Sequence, residues 1–527
     1  MKRVFSIALA GTLATSLPVF ADSLLLRMEQ STVAGSKDFT LLGAQSGSFR
    51  HQPGLTTAGQ DYLLLVGRDA QGHTLFELPV DNPGRLHAEG FSLQSGQIEF
   101  VRDILRPRAY FEVSVPNPAG LDSVVVVPRH ANGNGFAEGG RVFDRQTLDA
   151  ALQRKHISEG SFAATATDLH VSGPAAQRMD IVLIGDGYTG AEMTKWAADA
   201  QRVTDGLLAD PLFAAHKNQM NIRRVDVVSA ESGVDEPDKN IYKNTALGVQ
   251  ISCYGLDRLV CADEDLVYGA ISPVLAADAR DVIVVIANST RYGGAGGNIA
   301  TMTMHPSATE LALHEIGHTA FKLADEYDYG TCDTSQEPAQ ANVTMQTNRA
   351  SIKWGSLIDA STPVPTPTGT YANGTVGLFA GGQYCKTGKY RPTENSRMRA
   401  LGQPWHAVNE RRAAAVFDAY SGGGSNNGPV TVNGSLSVGQ SVNIPNGTSY
   451  RSNSGGQFTL QLTGPASADF NLYLYRWNGS AWALVAQATG PGANETLQYN
   501  GSPGYYYAKI RASSGSGAYT LKYTFPK

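Results

Sequence analysis

The chain is short of charge and of cysteine for its length. Only 17% of its 527 residues are Asp, Glu, Lys or Arg, and 42 basic residues against 47 acidic ones leave a net charge of −5. Such a balance offers no basic field, so nucleic acid is not an expected partner, because phosphate binding rests on gathered Lys and Arg. The four cysteines, Cys253, Cys261, Cys332 and Cys385, make no CxxC pair and no Cys/His cluster. That removes a second metal site built on thiolates. Beyond the N-terminus no apolar run approaches the roughly 20 residues that span a bilayer, so no membrane span is expected. Glycine (57) and tyrosine (22) are plentiful, which suits β-rich modules with many turns.

At the N-terminus Lys2 and Arg3 precede an apolar run from Val4 to Leu17, and Val19-Phe20-Ala21 reads as a cleavage signal before Asp22. Residues 1–21 are therefore expected to be a signal peptide, and the protein to be secreted or periplasmic, an exported bacterial-type chain. As a membrane anchor the run is short and is broken by Gly11, Thr12, Thr15 and Ser16. Export permits disulfides, and of the three pairings that four cysteines allow, the local ones, Cys253 with Cys261 and Cys332 with Cys385, are preferred.

A chain of this length is expected to form two to four domains. Residues 22–175 show short alternating runs such as Asp61–Val66 and Tyr110–Val115 between Gly and Pro, the pattern of a β-sandwich. The pattern changes over 176–420. Ile181–Ile184 reads as a buried strand, Gly185–Tyr188 as a turn and Ala191–Leu208 as an amphipathic helix, with further buried strands at Ile222–Val228 and Val282–Ala287. This alternation predicts an α/β core. Residues 421–428, rich in Gly, Ser and Asn, predict a flexible linker. In 429–527 the runs Phe458–Leu462, Asn471–Tyr475 and Tyr505–Ile510 predict a second, jelly-roll-like β-sandwich, whose Trp477 and Trp482 can serve glycan or protein contact or simply fill a core.

The core carries one segment with evident chemistry, His314-Glu315-Ile316-Gly317-His318. Good helix formers flank it, and Ser307 with Glu310 after Pro306 predicts a capping box at the helix start. Residues four apart on a helix have Cβ atoms about 5–6 Å apart, so two imidazoles can close on one metal ion. Glu315 projects about 100° further round, toward a metal-bound water. Zinc brings the pKa of such a water to about 7, and an adjacent carboxylate can take its proton during attack on a peptide carbonyl. One catalytic Zn2+ is therefore expected, with His314 and His318 as ligands and Glu315 as general base. A catalytic zinc usually takes a third side chain and leaves a fourth place to water. Lys322 stands where a glycine would turn the chain after such a helix, and the spacing favours Asp325 as third ligand, with Glu326 the alternative; the one left over would orient a histidine. Tyr327, Tyr384, Tyr390 and His406 are candidate donors to the oxyanion. Before the helix, the Gly-rich turn Tyr292–Gly297 lacks the following GK[ST] or the Rossmann helix spacing of a phosphate cradle. It reads either as a plain hairpin or as a sheet edge that aligns an extended substrate.

The runs DIVLIGDGY (Asp180–Tyr188), RVDVVSAESG (Arg224–Gly233), HEIGHTAFKLADEY (His314–Tyr327) and YRPTENSRMR (Tyr390–Arg399) occur in one order. Over residues 178 to about 420 the chain resembles the immunoglobulin A metallopeptidase family. The resemblance implies a metzincin-like zinc peptidase core, zinc on His314 and His318, Glu315 as base, and Met398 as a hydrophobic floor beneath the metal. It further implies a β-domain ahead of the catalytic domain and, in the last hundred residues, a bacterial pre-peptidase C-terminal domain. The expected function is a secreted zinc endopeptidase acting on protein or peptide substrates. Immunoglobulin A as substrate does not carry over from a family name. Two other readings are a non-catalytic adhesin or glycan-binding protein with a structural metal, and a zinc hydrolase of amides or esters outside proteins.

Overall fold

The computed structural model describes residues 23–32, 38–47, 49, 62–129, 140–154, 163–329, 332–420, 430–444, 450–452, 456–477, 482–502 and 504–526. The signal peptide expected over 1–21 and the linker expected over 421–428 lie outside the described residues. The architecture is β-rich and multidomain, dividing into two compact units, Met1–Tyr420 and Ser421–Lys527.

The first unit opens with two sheets packed face to face. One has the order Asp38–Gly47, Ser23–Ser31, Arg108–Pro116; the other runs Thr74–Asp81, Tyr62–Arg68, Ser123–Arg129, Arg141–Asp144. Alternate residues meet between them: Leu24, Leu26 and Met28 from one sheet and Leu63, Leu65, Val124 and Val126 from the other share one core. That is the period of two that a half-buried strand imposes. A separate hairpin, Arg85–Phe91 paired with Ile98–Leu105, stands apart from both sheets.

The core of the unit is a six-stranded sheet in the order Thr165–Val171, Met220–Asp226, Met179–Asp186, Val282–Ala287, Ala300–Thr303, Gly294–Ala295. Its middle pairs are parallel, and its two outermost pairs antiparallel. Because a central parallel strand is covered on both sides, Met179–Asp186 is buried at every position. Ile181 and Leu183 face the layer holding helices Met193–Ala209, Ala308–Thr319 and His406–Tyr420; Val182 and Ile184 face helix Glu264–Ile271. The sheet also draws in Thr165–Val171, which the sequence pattern grouped with the N-terminal module. The reason is pairing, since this strand's only sheet partner is Met220–Asp226.

Both local disulfides form, Cys253 with Cys261 and Cys332 with Cys385. The second unit is two antiparallel sheets whose inner residues, among them Phe458, Leu460, Phe470, Leu472, Ile510 and Leu521, make its core. Trp482 lies partly exposed with its ring 4.8 Å from that of Tyr507; the side chain of Trp477 lies outside the described residues. Among the described residues no helix is long and apolar enough to cross a membrane.

Candidate metal centre

Helix Ala308–Thr319 presents the HExxH segment, but it does not start as expected. Ser307 makes no capping hydrogen bond, and the Glu310 carboxylate instead receives Arg397 and, at 3.0 Å, the amide of Gly402. The bond to the guanidinium is charge-assisted, and the Ser307 amide donates instead to His305 Nδ1 at 3.2 Å. Inside the motif, a Cβ on Gly317 would come 2.5 Å from Met398 Sδ. The glycine thus lets Met398, fully buried, pack directly on the helix between the two histidines.

The helix ends in an αL turn. Leu323 N–H donates to Gly317 O (3.0 Å) and Lys322 N–H to His318 O (3.2 Å), while Lys322 itself takes φ = 52°. Lys322 therefore adopts the left-handed conformation that glycine usually supplies. The turn aims Leu323 O back at the helix, where it accepts from His318 Nδ1 at 2.8 Å. Arg397 O accepts from His314 Nδ1 at 2.8 Å. A carbonyl can only accept, so each Nδ1 carries hydrogen and each neutral ring offers a bare lone pair at Nε2.

Those lone pairs converge. The two Nε2 atoms lie 3.0 Å apart, Asp325 Oδ1 lies 3.1 Å from His318 Nε2 and 3.5 Å from His314 Nε2, and Glu89 Oε2 lies 3.1 Å from His314 Nε2. All four ligand atoms fall within 4.8 Å of one another. Asp325 Oδ1 is buried with no hydrogen-bond partner, which an acceptor tolerates poorly. Without a cation only protons can hold the group together. Burial works against charging His314, yet the hydrogen bonds that the charged ring would donate to Asp325 and Glu89 outweigh it and hold the ring well above its ordinary value. His318 is raised in the same way, and Asp325 is held well below the usual carboxylate range despite its burial. A divalent cation answers the same demand, and imidazole and carboxylate ligands together suit a first-row metal. The group fits a metal.

Of the two third-ligand candidates, only Asp325 joins the group. Consecutive residues of an extended chain point to opposite sides, and Glu326 faces away into a buried network with Asn342 Nδ2 (2.9 Å), Ser396 Oγ (2.7 Å) and Asn409 Nδ2 (2.9 Å). It orients no histidine. Tyr384 donates to Asp325 Oδ2 at 2.8 Å, and Tyr327 donates to Glu89 Oε1. The other two candidate donors are elsewhere, Tyr390 packed with the Trp354 cluster and His406 against Gly374.

Glu315 is buried beside the group, and a Cβ on Gly296 would come 2.0 Å from its Oε2. Burial first, then the nearby charge of Glu89, pushes its carboxyl up to about 7. A cleft of about 720 Å3 opens here, lined among others by His87, Glu89, Gly296, Glu315, His318 and Tyr384. Strand Gly294–Ala295, at the edge of the six-stranded sheet, borders it. His87 and Glu89 carry no motif and were not anticipated; the one sequence signal for them is the alternation of polar Arg85, His87 and Glu89 with Leu86, Ala88 and Gly90 along the strand.

The family described as IgA Peptidase M64 matches residues 167–373. The M64 segment holds His314, Glu315, His318 and Asp325, while Glu89 precedes it and Tyr384 and Met398 follow it. The match supports a peptidase function, hence a hydrolase with a protein substrate, and the matched segment carries three of the four residues that could hold a metal ion. Among solved structures, the Yersinia pseudotuberculosis-derived mitogen is 21% identical over 18% of this chain and 85% of its own, with a TM-score of 0.16. The pre-peptidase C-terminal domain of collagenase from Bacillus anthracis is 19% identical over 18% of this chain and 89% of its own, TM-score 0.16. Aeromonas hydrophila PliG, a periplasmic inhibitor of g-type lysozyme, is 14% identical over 18% and 87%, TM-score 0.14. Likenesses of this score support no conclusion about the chain.

Proposed function

We propose that this chain is an exported zinc endopeptidase with a metzincin-like core, hydrolysing peptide bonds of extracellular proteins. The observation that carries the reading is the convergence of His314, His318 and Asp325, with an unpartnered carboxylate oxygen, on a cleft that also holds Glu315. Zinc held by those three residues would acidify a water and polarise the scissile carbonyl. Glu315 takes the proton of the attacking water and returns it to the leaving amine. Tyr384, on the cleft wall, is in this reading the donor to the oxyanion, its single O–H turning there from Asp325 Oδ2 as charge develops. The edge strand Gly294–Ala295 gives an extended substrate a backbone to pair with. Residues 429–527, in this reading a pre-peptidase-type module, add surface contact with protein or glycan.

Metal analysis of the purified protein and a casein digest with and without chelator test this. Glu315→Gln is expected to keep its zinc and to lower hydrolysis by at least about 100-fold; undiminished digestion by that variant refutes the base. One observation favours the rival reading of an adhesin with a structural metal: Glu89 adds a second carboxylate and so a fourth protein ligand, and four protein ligands close a structural site. A zinc-loaded protein that cleaves neither casein nor a peptide library would decide for the rival.

A further inference from the structure

We propose that Glu89 is itself a ligand of the metal, so that the N-terminal hairpin is a working part of the metal centre. The inference rests on the reading above that the group holds a divalent cation; the water of that reading would then enter as a fifth ligand, an expansion that catalytic zinc sites allow.

Strand Arg85–Phe91 has two faces of different character. Leu86 and Ala88 pack into an apolar cluster with Leu259 and Ala295, while His87, Glu89 and Phe91 face the metal group. Each of these three does something there. His87 Nε2 lies 3.1 Å from the Tyr384 hydroxyl, and the Phe91 ring meets His314 edge-on at 4.9 Å. Glu89, with a side chain only 3% exposed, divides its two oxygens: Oε1 takes Tyr327 and lies 3.2 Å from His87 Nε2, leaving Oε2 turned to His314 Nε2. The strand is pinned as well, since Arg258 donates to Phe91 O (2.8 Å) and to Glu99 (2.6 Å).

Charge makes the same point. A carboxylate without a cation at this depth is costly, and Glu89 lies in one buried group with a second carboxylate, Asp325. Two carboxylates and two neutral imidazoles match a divalent cation in charge as well as in number of ligand atoms. Tyr327 and His87 hold Oε1, which fixes the direction in which Oε2 points, the role that outer hydrogen bonds play at metal ligands.

The test uses the full-length protein loaded with zinc or with cobalt(II). Zinc release to a chromophoric chelator and the visible spectrum of the cobalt form are compared in wild type, Glu89→Gln and Tyr327→Phe. Glu89→Gln is expected to release zinc at least about tenfold faster and to alter the cobalt spectrum. Tyr327→Phe is expected to change release less and to keep the wild-type spectrum. Should Glu89→Gln fold poorly by far-UV circular dichroism, Glu89→Asp keeps the charge but shortens the reach, and is expected to shift the spectrum too. The proposal is overturned if the Glu89 variants match wild type in both readouts, or if Tyr327→Phe reproduces the Glu89→Gln result. A wild-type protein that takes up neither zinc nor cobalt would overturn the parent reading along with this one; one that binds both and ignores the loss of Glu89 overturns this one alone.

Discussion

The two sides of the metal group are built in opposite ways. On one side a single stretch of twelve residues, His314 to Asp325, supplies two histidines, the candidate base and a carboxylate, and one helix with its closing turn sets all their directions. On the other side strand Arg85–Phe91 brings Glu89 and His87 from 225 residues or more away. The helix side is local and would be recognisable in any fold. The strand side exists only when the N-terminal module is docked, held by polar ties such as Arg106 to Glu264 (2.8 Å) and Arg27 to Asp265 (2.8 Å). The contrast separates what the chemistry needs from what holds it in place.

The sharpest way to break the comparison is to disturb the base and leave the ligands alone. Gly296→Ala would put a Cβ 2.0 Å from Glu315 Oε2, so the carboxylate must move, whereas His314 and His318 keep their carbonyl partners. Displacing a reacting group by about 1 Å costs on the order of 100-fold. Casein hydrolysis is expected to fall by about that factor with zinc content unchanged; full activity in the variant would mean that the glycine does not position Glu315. A smaller effect is expected where the two sides meet. Tyr384→Phe removes the bond to Asp325 Oδ2 and the contact with His87 while keeping the ring, and zinc affinity by chelator competition is expected to fall about tenfold. Unchanged affinity would show that Asp325 needs no support from that side.

These differences follow what could be read from the chain beforehand. Strand Val282–Ala287 was legible to the residue, and helix Ala191–Leu208 lies within two residues of the observed Met193–Ala209, because continuous apolar runs and helical periodicity are local properties. The strand expected to end at Val228 stops at Asp226 because the sheet partner Thr165–Val171 begins its pairing there. Asp325 was placed by counting along a turn whose left-handed residue is a lysine, so spacing alone left Glu326 open until the alternation of the chain separated them. The capping box failed for a long-range reason, since Arg397 reaches Glu310 from 87 residues away. Glu89 was hidden for the same cause. A strand residue shows which face it lies on, and nothing in its neighbours says what will dock against that face.

Lys322 supplies the finest test of the helix side. At φ = 52° a residue with a Cβ is strained by about 1–2 kcal/mol, and glycine relieves this while giving back about 0.5–1 kcal/mol in unfolded-chain entropy. Lys322 also pairs with Asp81 at 2.9 Å, linking the turn to the N-terminal module, but a half-exposed pair of this kind contributes only about 0.2–1 kcal/mol. Lys322→Gly is therefore expected to stabilise the first unit by no more than about 0.5 kcal/mol in urea unfolding, whereas Lys322→Ala, which loses the pair and keeps the strain, is expected to destabilise it by a few tenths. If both variants lose the same stability, the ion pair to the N-terminal module outweighs the backbone strain, and the turn that aims Leu323 O at His318 depends on the strand side after all.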